Sequence, residues 1–595
     1  MHRLPFTFVL CLIGARLCAQ EPVVNTSHGH STSLDGAWNF IIDPYENGYY
    51  DYRRQPLPDG FFKNEKPRTK SDRVEYDFDT SPTLSVPGDW NSQLKELFLY
   101  EGTIWYKKSF DYPVKNGTRL FLRFGAVNYS AVVWLNGEKL GEHTGGFTPF
   151  SFEITRQVKE RGNFVVVKAD NKRCLECVPT LITDWWNYGG LTRSVAIIET
   201  PGTFLEDYAV HLKKAGEISG WVKLNGPRLQ ERVSVEIPEV NARISVQTDD
   251  SGSARFAFRA EVSPWSPDHP RLYRVRISAG GDTVSEKIGF RTIETEGTKI
   301  LLNGRPVFLK GICIHEEAPF RSGRANSRED ALTLLGWAKE LGCNFVRLAH
   351  YPHNEQMTLM ADSLGLMVWS EIPVYWTIQW ENPSTYANAL NQLREMIARD
   401  RNRASVVLWS MANETPLGDA RLQFLKGLLR EARHSDSTRL LTAAMERRYL
   451  DRTTEMIDDP LGEFVDVLGC NEYIGWYDGT PEKADSVQWK VAFNKPLIMS
   501  ELGGEAPYGN HGDSLTIWTE EFQERVYRHQ IPMLSRIPSL SGMSPWILMD
   551  FRSPRRQLPG IQDFHNRKGL ISDRGQKKKA FYVLQEFYKS FNKDH

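Results

Sequence analysis

The stretch that decides the fold reads Val406-Val-Leu-Trp-Ser-Met-Ala-Asn413, and Glu414 follows it directly. Its apolar residues run on without a period of two, as in a parallel strand buried on both faces, and the run ends on polar residues. Similar runs, separated by helical patterns or long loops, occur at 307–314, 345–350, 367–372, 440–445, 467–473, 497–501 and 543–548. Eight strands in this alternation predict a C-terminal (β/α)8 TIM barrel over residues 297–595.

The residues before the barrel follow a different pattern, in which apolar and polar side chains alternate along short runs between Gly, Asn and Asp turns. This period of two is typical of antiparallel β-sandwiches. We expect one sandwich over 21–200 and a smaller, immunoglobulin-like one over 201–296. The runs lie at 103–110, 119–124, 131–135 and 164–169 in the first, and at 219–224, 233–237, 253–258 and 272–279 in the second.

Composition limits the classes of function. The chain has 595 residues, several times a typical domain of about 150, which excludes a single small binding module. Hydrophobic residues make up 41% and charged residues 25%, as in ordinary soluble globular proteins. Lys and Arg number 73 and Asp and Glu 74, so no overall field attracts nucleic acid or an anionic membrane, and neither is expected as a partner.

The first twenty residues predict a secretory signal peptide. His2 and Arg3 precede an apolar run that ends at Gly14, and a possible cleavage region follows it. This run is too short to span a bilayer. We therefore expect a signal peptide at 1–20 and a secreted or periplasmic mature protein.

The cysteines outside this segment are few and odd in number, which excludes a disulfide scaffold. Cys174 and Cys177 form a C-x-x-C motif, but no second pair or His cluster accompanies it. An incidental pair or a local disulfide is therefore favoured over a zinc site, with the choice between those two left open, and no metal or cofactor is expected.

Polar residues at the carboxyl ends of the predicted barrel strands are the candidates for chemistry, because active sites of such barrels lie there. They are Arg347, His350, Glu371, Asn413, Glu414, Asn471, Tyr473, Glu501, Trp546 and Asp550. A single carboxylate at a strand end is more often a structural partner or a helix cap. Glu414 and Glu501 stand out, because strands four and seven face each other across an eight-stranded ring.

Two carboxyl groups that converge on one sugar are the apparatus of glycoside hydrolysis. One protonates the leaving oxygen, and the other attacks the anomeric carbon or activates water. No G-x-S-x-G elbow, H-E-x-x-H motif, Walker loop or EF-hand loop competes with this interpretation.

Longer motifs occur at 145–150 and 184–190 in the predicted first sandwich, and at 402–414 and 495–501 in the predicted barrel. They resemble motifs of glycoside hydrolase family 2. In that family 402–414 corresponds to the acid/base signature, 495–501 to the nucleophile strand, and the two earlier motifs to the N-terminal sandwich. The resemblance implies a jelly-roll, sugar-binding-like sandwich, an immunoglobulin-like sandwich and a TIM barrel, in that order.

The resemblance also implies a retaining mechanism with Glu414 as the general acid/base and Glu501 as the nucleophile. Glu414 must then be protonated at the working pH, so a raised pKa would help it, whereas Glu501 must stay ionised. We expect Arg347 to hold Glu501 as a carboxylate by its charge and Tyr473 to donate a hydrogen bond to it.

Further substrate-binding residues follow from the same resemblance. Asn413 is expected to bind the sugar 2-hydroxyl and Trp546 to form an apolar floor for the ring. Asp184 and His315 are expected to bind sugar hydroxyls, with an interdomain salt bridge or a buried core histidine as the alternatives. Asn471 and Tyr477 complete the predicted set.

The sugar is indicated by Phe564-His-Asn-Arg-Lys-Gly569. Asn566 and Lys568 resemble the N-x-K motif with which family glucuronidases hold the carboxylate of the sugar, and the alternative is a basic turn before a helix. A cation and a directional amide recognise a carboxylate that a neutral hexose lacks. The motif lies within a basic run, since 552–579 holds nine Arg and Lys residues against Asp563 and Asp573.

Two positions depart from the family pattern. Gln562 stands where some bacterial glucuronidases have an arginine, and the segment 373–388 is short compared with relatives that place a lid there. We therefore hypothesise an open site that takes the non-reducing end of an oligosaccharide.

The sequence thus predicts an exo-acting β-uronidase, similar to β-glucuronidases, whose partner is a carbohydrate with a terminal uronate. A β-galactosidase of the same family is the alternative enzyme, and an inactive sugar-binding protein is the alternative of another class. The epimer of the uronate stays open, since gluco and galacto forms differ at one hydroxyl, and a homo-oligomer is possible.

Overall fold

The computed structural model describes residues 30–57, 69–71 and 76–590. The predicted signal peptide, residues 1–20, lies outside them. Three consecutive regions each enclose a hydrophobic core of their own. Within the described part of the chain, no helix is both long and apolar enough to cross a membrane.

The N-terminal region is a sandwich of two antiparallel sheets. Its strands are β1 (His30–Ser33), β2 (Gly36–Ile42), β3 (Thr83–Val86), β4 (Thr103–Phe110), β5 (Thr118–Phe124), β6 (Ser130–Leu135), β7 (Glu138–Thr144), β8 (Phe150–Glu153), β9 (Asn163–Asp170) and β10 (Val195–Pro201), and a short helix α1 spans Trp90–Gln93. The sheets have the orders β1-β10-β5-β8 and β3-β2-β4-β9-β6-β7. Their inner faces bury Trp38, Tyr106 and Phe124, which fill the space between the sheets.

The central region is a smaller sandwich of the immunoglobulin-like type. Its strands are β11 (Phe204–Leu212), β12 (Glu217–Asn225), β13 (Arg232–Ile237), β14 (Ala242–Gln247), β15 (Ser253–Arg259), β16 (Tyr273–Ala279) and β17 (Asp282–Ile288). They form the sheets β11-β12-β15 and β14-β13-β16-β17. A small sheet of β18 (Ile293–Glu296), β19 (Lys299–Leu302) and β20 (Arg305–Pro306) then leads to the barrel.

The C-terminal region is a parallel β-barrel surrounded by helices. Its strands are β21 (Leu309–Lys310), β22 (Cys313–Ile314), β23 (Phe345–Leu348), β24 (Met367–Glu371), β25 (Val406–Asn413), β26 (Leu440–Met445), β29 (Leu468–Asn471), β31 (Leu497–Glu501) and β32 (Leu540–Met543). Outside the ring lie β27 (Arg448–Tyr449), β28 (Thr454–Ile457), β30 (Gln488–Val491), β33 (Phe551–Arg552) and β34 (His565–Asn566). The uninterrupted apolar run of β25 is buried at every position, as a strand covered on both faces requires.

The first barrel strand differs from the prediction, because it is broken and not continuous over 307–314. Its first half, β21, pairs with β32, and its second half, β22, pairs with β23. The break between them lets one strand join the last and the second strands, which closes the ring. The predicted strand 543–548 also has the wrong bounds, since β32 spans Leu540–Met543.

The helices that cover the barrel are α2 (Arg328–Leu341), α3 (Glu355–Leu364), α4 (Pro383–Asp400), α5 (Asp419–Ser435), α6 (Lys483–Ser486), α7 (Glu520–Ser535) and α8 (Lys579–Ser590). Helix α2 begins at a capping box, in which Ser327 accepts from the N–H of Asp330 while the Asp330 side chain accepts from the N–H of Ser327. After β26 a single turn, Pro460–Glu463, stands in the place of a long helix.

Buried polar contacts join the N-terminal sandwich to the barrel. Arg193 of the sandwich donates to Glu316 at 3.0 Å, and Arg324 of the barrel donates to the same carboxylate at 2.9 Å. Tyr188 donates to Glu317 at 2.6 Å. These contacts hold the sandwich segment 184–190 against the carboxyl end of the barrel.

Candidate active site

The carboxyl ends of the barrel strands bring the predicted site residues together. Arg347 lies in β23, Glu371 ends β24, Asn413 ends β25, Asn471 ends β29 and Glu501 ends β31. The strands are parallel neighbours in one ring, so their carboxyl ends meet at the same rim.

Glu501 is held by two donors. Arg347 donates to its Oε1 at 2.8 Å, and the Tyr473 hydroxyl donates to its Oε2 at 2.6 Å. Both contacts agree with the geometry expected from the sequence. Nε2 of His350 lies 3.8 Å from Oε1 of Glu501.

The charge of Arg347 is divided between two carboxylates, because it also binds Glu371 at 3.1 Å. Burial opposes ionisation of Glu371, but Arg347 and His350 outweigh it and lower the pKa of Glu371 to about 2. For Glu501 burial prevails over Arg347, and the pKa is raised above its usual range. The expected effect of Arg347 on Glu501 is present but does not prevail, since burial and the nearby charge of Glu414 both raise the pKa.

Glu414 is half-buried and accepts two hydrogen bonds. Asn471 Nδ2 donates to its Oε1 at 3.0 Å, and Trp376 Nε1 donates to its Oε2 at 2.9 Å. Glu414 and Trp376 both have left-handed backbone conformations, with φ of 48° and 52°. Such conformations are costly for residues with side chains and are concentrated at functional sites.

Asn413 shares a donor with each proposed catalytic carboxylate: Arg347 also binds Glu501, and Asn471 also binds Glu414. Its Oδ1 accepts from Arg347 at 2.6 Å and from Asn471 at 3.3 Å. Its buried Nδ2 has no hydrogen-bond partner among the described residues. This amide is therefore free to donate to a substrate hydroxyl, the role predicted for Asn413.

Aromatic side chains line the site beside Glu501. Trp546 is buried, and its ring stacks on His350 with centroids 4.8 Å apart. His315 Nδ1 and the Tyr351 hydroxyl share a hydrogen bond at 3.1 Å. The other ring nitrogen, Nε2, is buried and has no partner among the described residues. Burial and the neighbouring His350 hold the pKa of His315 well below its usual range, so this ring is neutral at pH 7.

The predicted carboxylate subsite forms a buried cluster. Lys568 Nζ donates to the Tyr477 hydroxyl and to Glu505 Oε1, both at 2.7 Å. Arg556 Nη1 approaches the same two oxygens at 3.2 Å and 3.5 Å. Asn566 Nδ2 donates to Asp184 Oδ2 at 3.2 Å.

Asp184 forms the interdomain bridge that the sequence left as an alternative. It accepts from Arg556 Nη2 at 2.5 Å and from Ser553 Oγ at 2.6 Å. These donors outweigh its burial and lower the pKa of Asp184. Its predicted contact with sugar hydroxyls stays a prediction.

Three residues of the site were not predicted from the sequence: Trp376 beside Glu414, and Glu505 and Arg556 beside Lys568. Glu505 follows Glu501 by four residues, a spacing that could have suggested it. Trp376 comes five residues after Glu371, in the loop that follows β24. Arg556 lies far from Glu505 along the chain, and only the tertiary structure brings them together. Arg556 Nη1 and Gln562 Nε2 donate to the two oxygens of Glu505, at 3.5 Å and 3.1 Å.

The C-x-x-C motif lies outside this rim. Cys174 and Cys177 are joined by a disulfide, one of the two alternatives that the sequence left open. Cys313, Cys343 and Cys470 are free and buried. No group of three or more His, Cys, Asp or Glu residues is arranged to hold a metal ion in the part of the chain that the structure describes.

Family models match the whole described domain succession. Residues 31–201 match the sugar binding domain of glycosyl hydrolases family 2, 203–291 match its central domain, and 293–592 match its TIM barrel domain. The chain belongs to glycosyl hydrolase family 2. It is a glycoside hydrolase of this family, as the motifs predicted.

Relatives in family 2 match over nearly the full length. A beta-glucuronidase of Paenibacillus borealis is 28% identical over 93% of this chain and 96% of that protein, and one of Rattus norvegicus is 27% identical over 93% and 90%. Among solved structures, the Bifidobacterium dentium beta-glucuronidase complexed with coumarin-3-O-glucuronide superimposes with a TM-score of 0.79 at 26% identity, covering 96% of this chain and 98% of that one. A family 2 beta-galacturonidase from Eisenbergiella tayi, bound to galacturonate, shares the fold at 24% identity, a TM-score of 0.78 and coverage of 94% and 97%.

Proposed function

We propose that this family 2 enzyme is a retaining, exo-acting β-uronidase similar to β-glucuronidases. The observation that carries the proposal is Lys568, a buried cation in the active site, close to the proposed nucleophile. Its Nζ lies 5.5 Å from the ring centroid of Tyr473, whose hydroxyl binds Glu501. A sugar with its anomeric carbon at Glu501 would thus place its C6 group near Lys568.

Each carboxyl group has a distinct part in the proposed reaction. Glu501 attacks the anomeric carbon and forms a covalent glycosyl-enzyme, while Glu414 protonates the leaving oxygen. Glu414 then takes a proton from water, and that water displaces Glu501 from the anomeric carbon. Asn413 Nδ2 donates to the 2-hydroxyl, a bond that strengthens in the transition state.

The cluster around Lys568 keeps donors for a substrate carboxylate. The ammonium group has three N–H donors and uses two of them on Tyr477 and Glu505. The Tyr477 oxygen accepts from Lys568 and Arg556, so its own O–H can donate elsewhere. The pKa of Lys568 is raised despite its burial, because Glu505 favours the charged form.

The beta-glucuronidases among its relatives support a glucuronate substrate for this chain. A galacturonate substrate is the second candidate, because the two uronates share the carboxylate that Lys568 would bind. We also propose that the enzyme is exported, on the basis of the predicted signal peptide, and that it acts on oligosaccharide ends.

The experiment measures kcat/KM of wild type and of Lys568→Met on a set of aryl β-glycosides. We expect wild type to hydrolyse the glucuronide or galacturonide at least about a thousandfold faster than the glucoside or galactoside, because a desolvated cation rejects a neutral sugar. Lys568→Met should lower kcat/KM for the uronide by about a hundredfold or more, the cost of breaking a buried charge pair.

Lys579→Met is the matched control, because Lys579 is an exposed lysine that pairs with Glu521 outside the site. It should keep the wild-type rates. Faster hydrolysis of the galactoside than of either uronide, or full uronide turnover in Lys568→Met, would refute the proposal.

A further inference from the structure

The basic run 552–579 is mostly neutralised by carboxylates. Its cations Arg556, Arg567, Lys568, Arg574, Lys577, Lys578 and Lys579 each form an ion pair. Among the described residues, Arg552 and Arg555 have no carboxylate within ion-pair distance. These two are therefore the cations of the run that no carboxylate neutralises.

Arg552 is occupied by other contacts. Its Nη2 donates to Ser322 Oγ at 2.6 Å, and its guanidinium lies over the ring of Phe98 at 5.2 Å. Arg555 is exposed, and its guanidinium lies over the ring of Trp376 at 4.6 Å.

Trp376 connects Arg555 to the chemistry. Its indole Nε1 donates to Glu414 Oε2 at 2.9 Å, so the ring stands beside the group that protonates the leaving oxygen. Its backbone N–H donates to the carbonyl of Asn413 at 3.0 Å, which ties the loop to the end of β25. Whatever is bonded to the leaving oxygen must therefore begin next to Trp376.

The loop that carries Arg555 is fixed on both sides. Ser553 Oγ donates to Asp184 Oδ1 at 2.6 Å and accepts from the backbone N–H of Arg555 at 3.3 Å. Arg556 binds Asp184 with two nitrogens. The guanidinium is thus presented on a preorganised segment, which lowers the entropy lost when it binds a ligand.

We propose that Trp376 and Arg555 form the leaving-group subsite and that it takes a sugar residue bearing an anion, either a carboxylate or a sulfate ester. The proposal rests on the proposed function, since it concerns the leaving group of the same reaction. Arg555 lies over the indole and the Tyr375 ring packs against it with centroids 4.4 Å apart, so a leaving sugar would meet the indole edge beside Glu414 and the exposed guanidinium. A guanidinium stacked on that indole keeps its in-plane N–H donors for an anion, which it can bind in a bidentate manner.

The test uses β-linked disaccharides that differ only in the leaving sugar, which is unsubstituted, carries a C6 carboxylate or carries a 6-sulfate. Each is made with a terminal glucuronate, a terminal galacturonate and a terminal galactose, and aryl glycosides of the three sugars are measured beside them. The proteins are wild type, Arg555→Gln and Arg574→Gln, the last being an exposed arginine of the same basic run outside the site. Preference is the ratio of kcat/KM between acidic and neutral leaving sugars.

We expect wild type to prefer an acidic leaving sugar by about tenfold or more, the usual effect of a charged hydrogen bond. Arg555→Gln should reduce the preference to about threefold or less, while Arg574→Gln keeps both the preference and the wild-type turnover of aryl uronides. The carboxylate and sulfate substrates show which anion is preferred, and the preference should shrink as ionic strength rises.

Equal rates on acidic and neutral leaving sugars, or an undiminished preference in Arg555→Gln, would overturn this proposal. Turnover of the galactose series and of neither uronate series would instead overturn the proposed function, and the leaving-group preference would then be measured in the galactose series. Absence of turnover in all three series would overturn both.

Discussion

At the scale of single residues, the site depends on how Arg347 divides its charge. It binds Glu371 and Glu501 at once, yet the pKa of Glu371 is lowered and that of Glu501 is raised. Sequence motifs could indicate Glu414, Glu501, Arg347 and Tyr473, because these lie at strand ends. The division of charge could not be predicted, since it depends on distances between residues that are far apart along the chain.

Tyr473 should control the acid side of the pH profile. Glu501 must be ionised to attack, so activity is lost as pH falls through its pKa. The Tyr473 hydroxyl favours the ionised form, and burial opposes it. Tyr473→Phe should therefore raise the pKa of Glu501 further and move the acid limb of kcat/KM upward by about one pH unit, as expected for loss of a hydrogen bond to a charged group.

The pH dependence of kcat/KM for an aryl uronide measures this effect. Tyr582→Phe is the control, because Tyr582 is exposed in α8, and its profile should match wild type. An unchanged acid limb in Tyr473→Phe would show that the hydroxyl does not influence ionisation of the nucleophile.

At the scale of elements, the sequence pattern predicts strands well where burial and pairing coincide. The predicted runs 103–110 and 406–413 coincide with β4 and β25. The run 543–548 is apolar as well, but Trp546 donates to the carbonyl of Leu502 in a loop and does not continue the ladder of β32. Hydrophobicity predicts which residues are buried but not which backbone groups they pair with, so the bounds of the last strand could not be predicted.

Loops account for the remaining differences at this scale. Trp376 reaches the acid/base group from the loop after β24, and Arg555, between β33 and β34, lies over its ring. No short motif marks either position. Long loops after barrel strands carry specificity in this fold, while the strands supply the fixed rim. The residues at the strand ends could therefore be predicted from the sequence, whereas the loop residues around the site could be found only from the tertiary structure.

At the scale of the whole molecule, the barrel is completed by the N-terminal sandwich. Asp184 and Tyr188 enter the barrel rim from the sandwich and bind Arg556 and Glu317. The three-domain order was predicted from the motifs, and the family models confirm it. The individual interdomain pairs were not predictable, because each joins residues more than a hundred positions apart.

Glu317 should make the stability of this interface depend on pH. Burial raises its pKa from 4.5 to about 8, so the folded state holds a proton that the unfolded chain releases at lower pH. Its favourable contribution is complete below pH 4.5 and is lost progressively as pH rises toward 8. Glu317→Gln keeps an acceptor for Tyr188 without a titrating group, so its melting temperature relative to wild type should rise between pH 5 and pH 8.

Thermal unfolding at several pH values measures this difference. Glu329→Gln serves as control, because Glu329 is an exposed carboxyl in the first turn of α2. A difference between Glu317→Gln and wild type that stays constant across this range would contradict a protonated Glu317 at the interface.

The most direct measurement of the central claim is a crystal structure of Glu501→Gln with an aryl β-glucuronide bound. We predict that a carboxylate oxygen of the sugar lies within about 2.7–2.9 Å of Lys568 Nζ, the usual length of such a charged hydrogen bond. The glycosidic oxygen should face Glu414 and the aryl group should lie beside Trp376. A sugar bound with its carboxylate in solvent, or with Lys568 still bound only to Glu505 and Tyr477, would contradict the proposed uronidase.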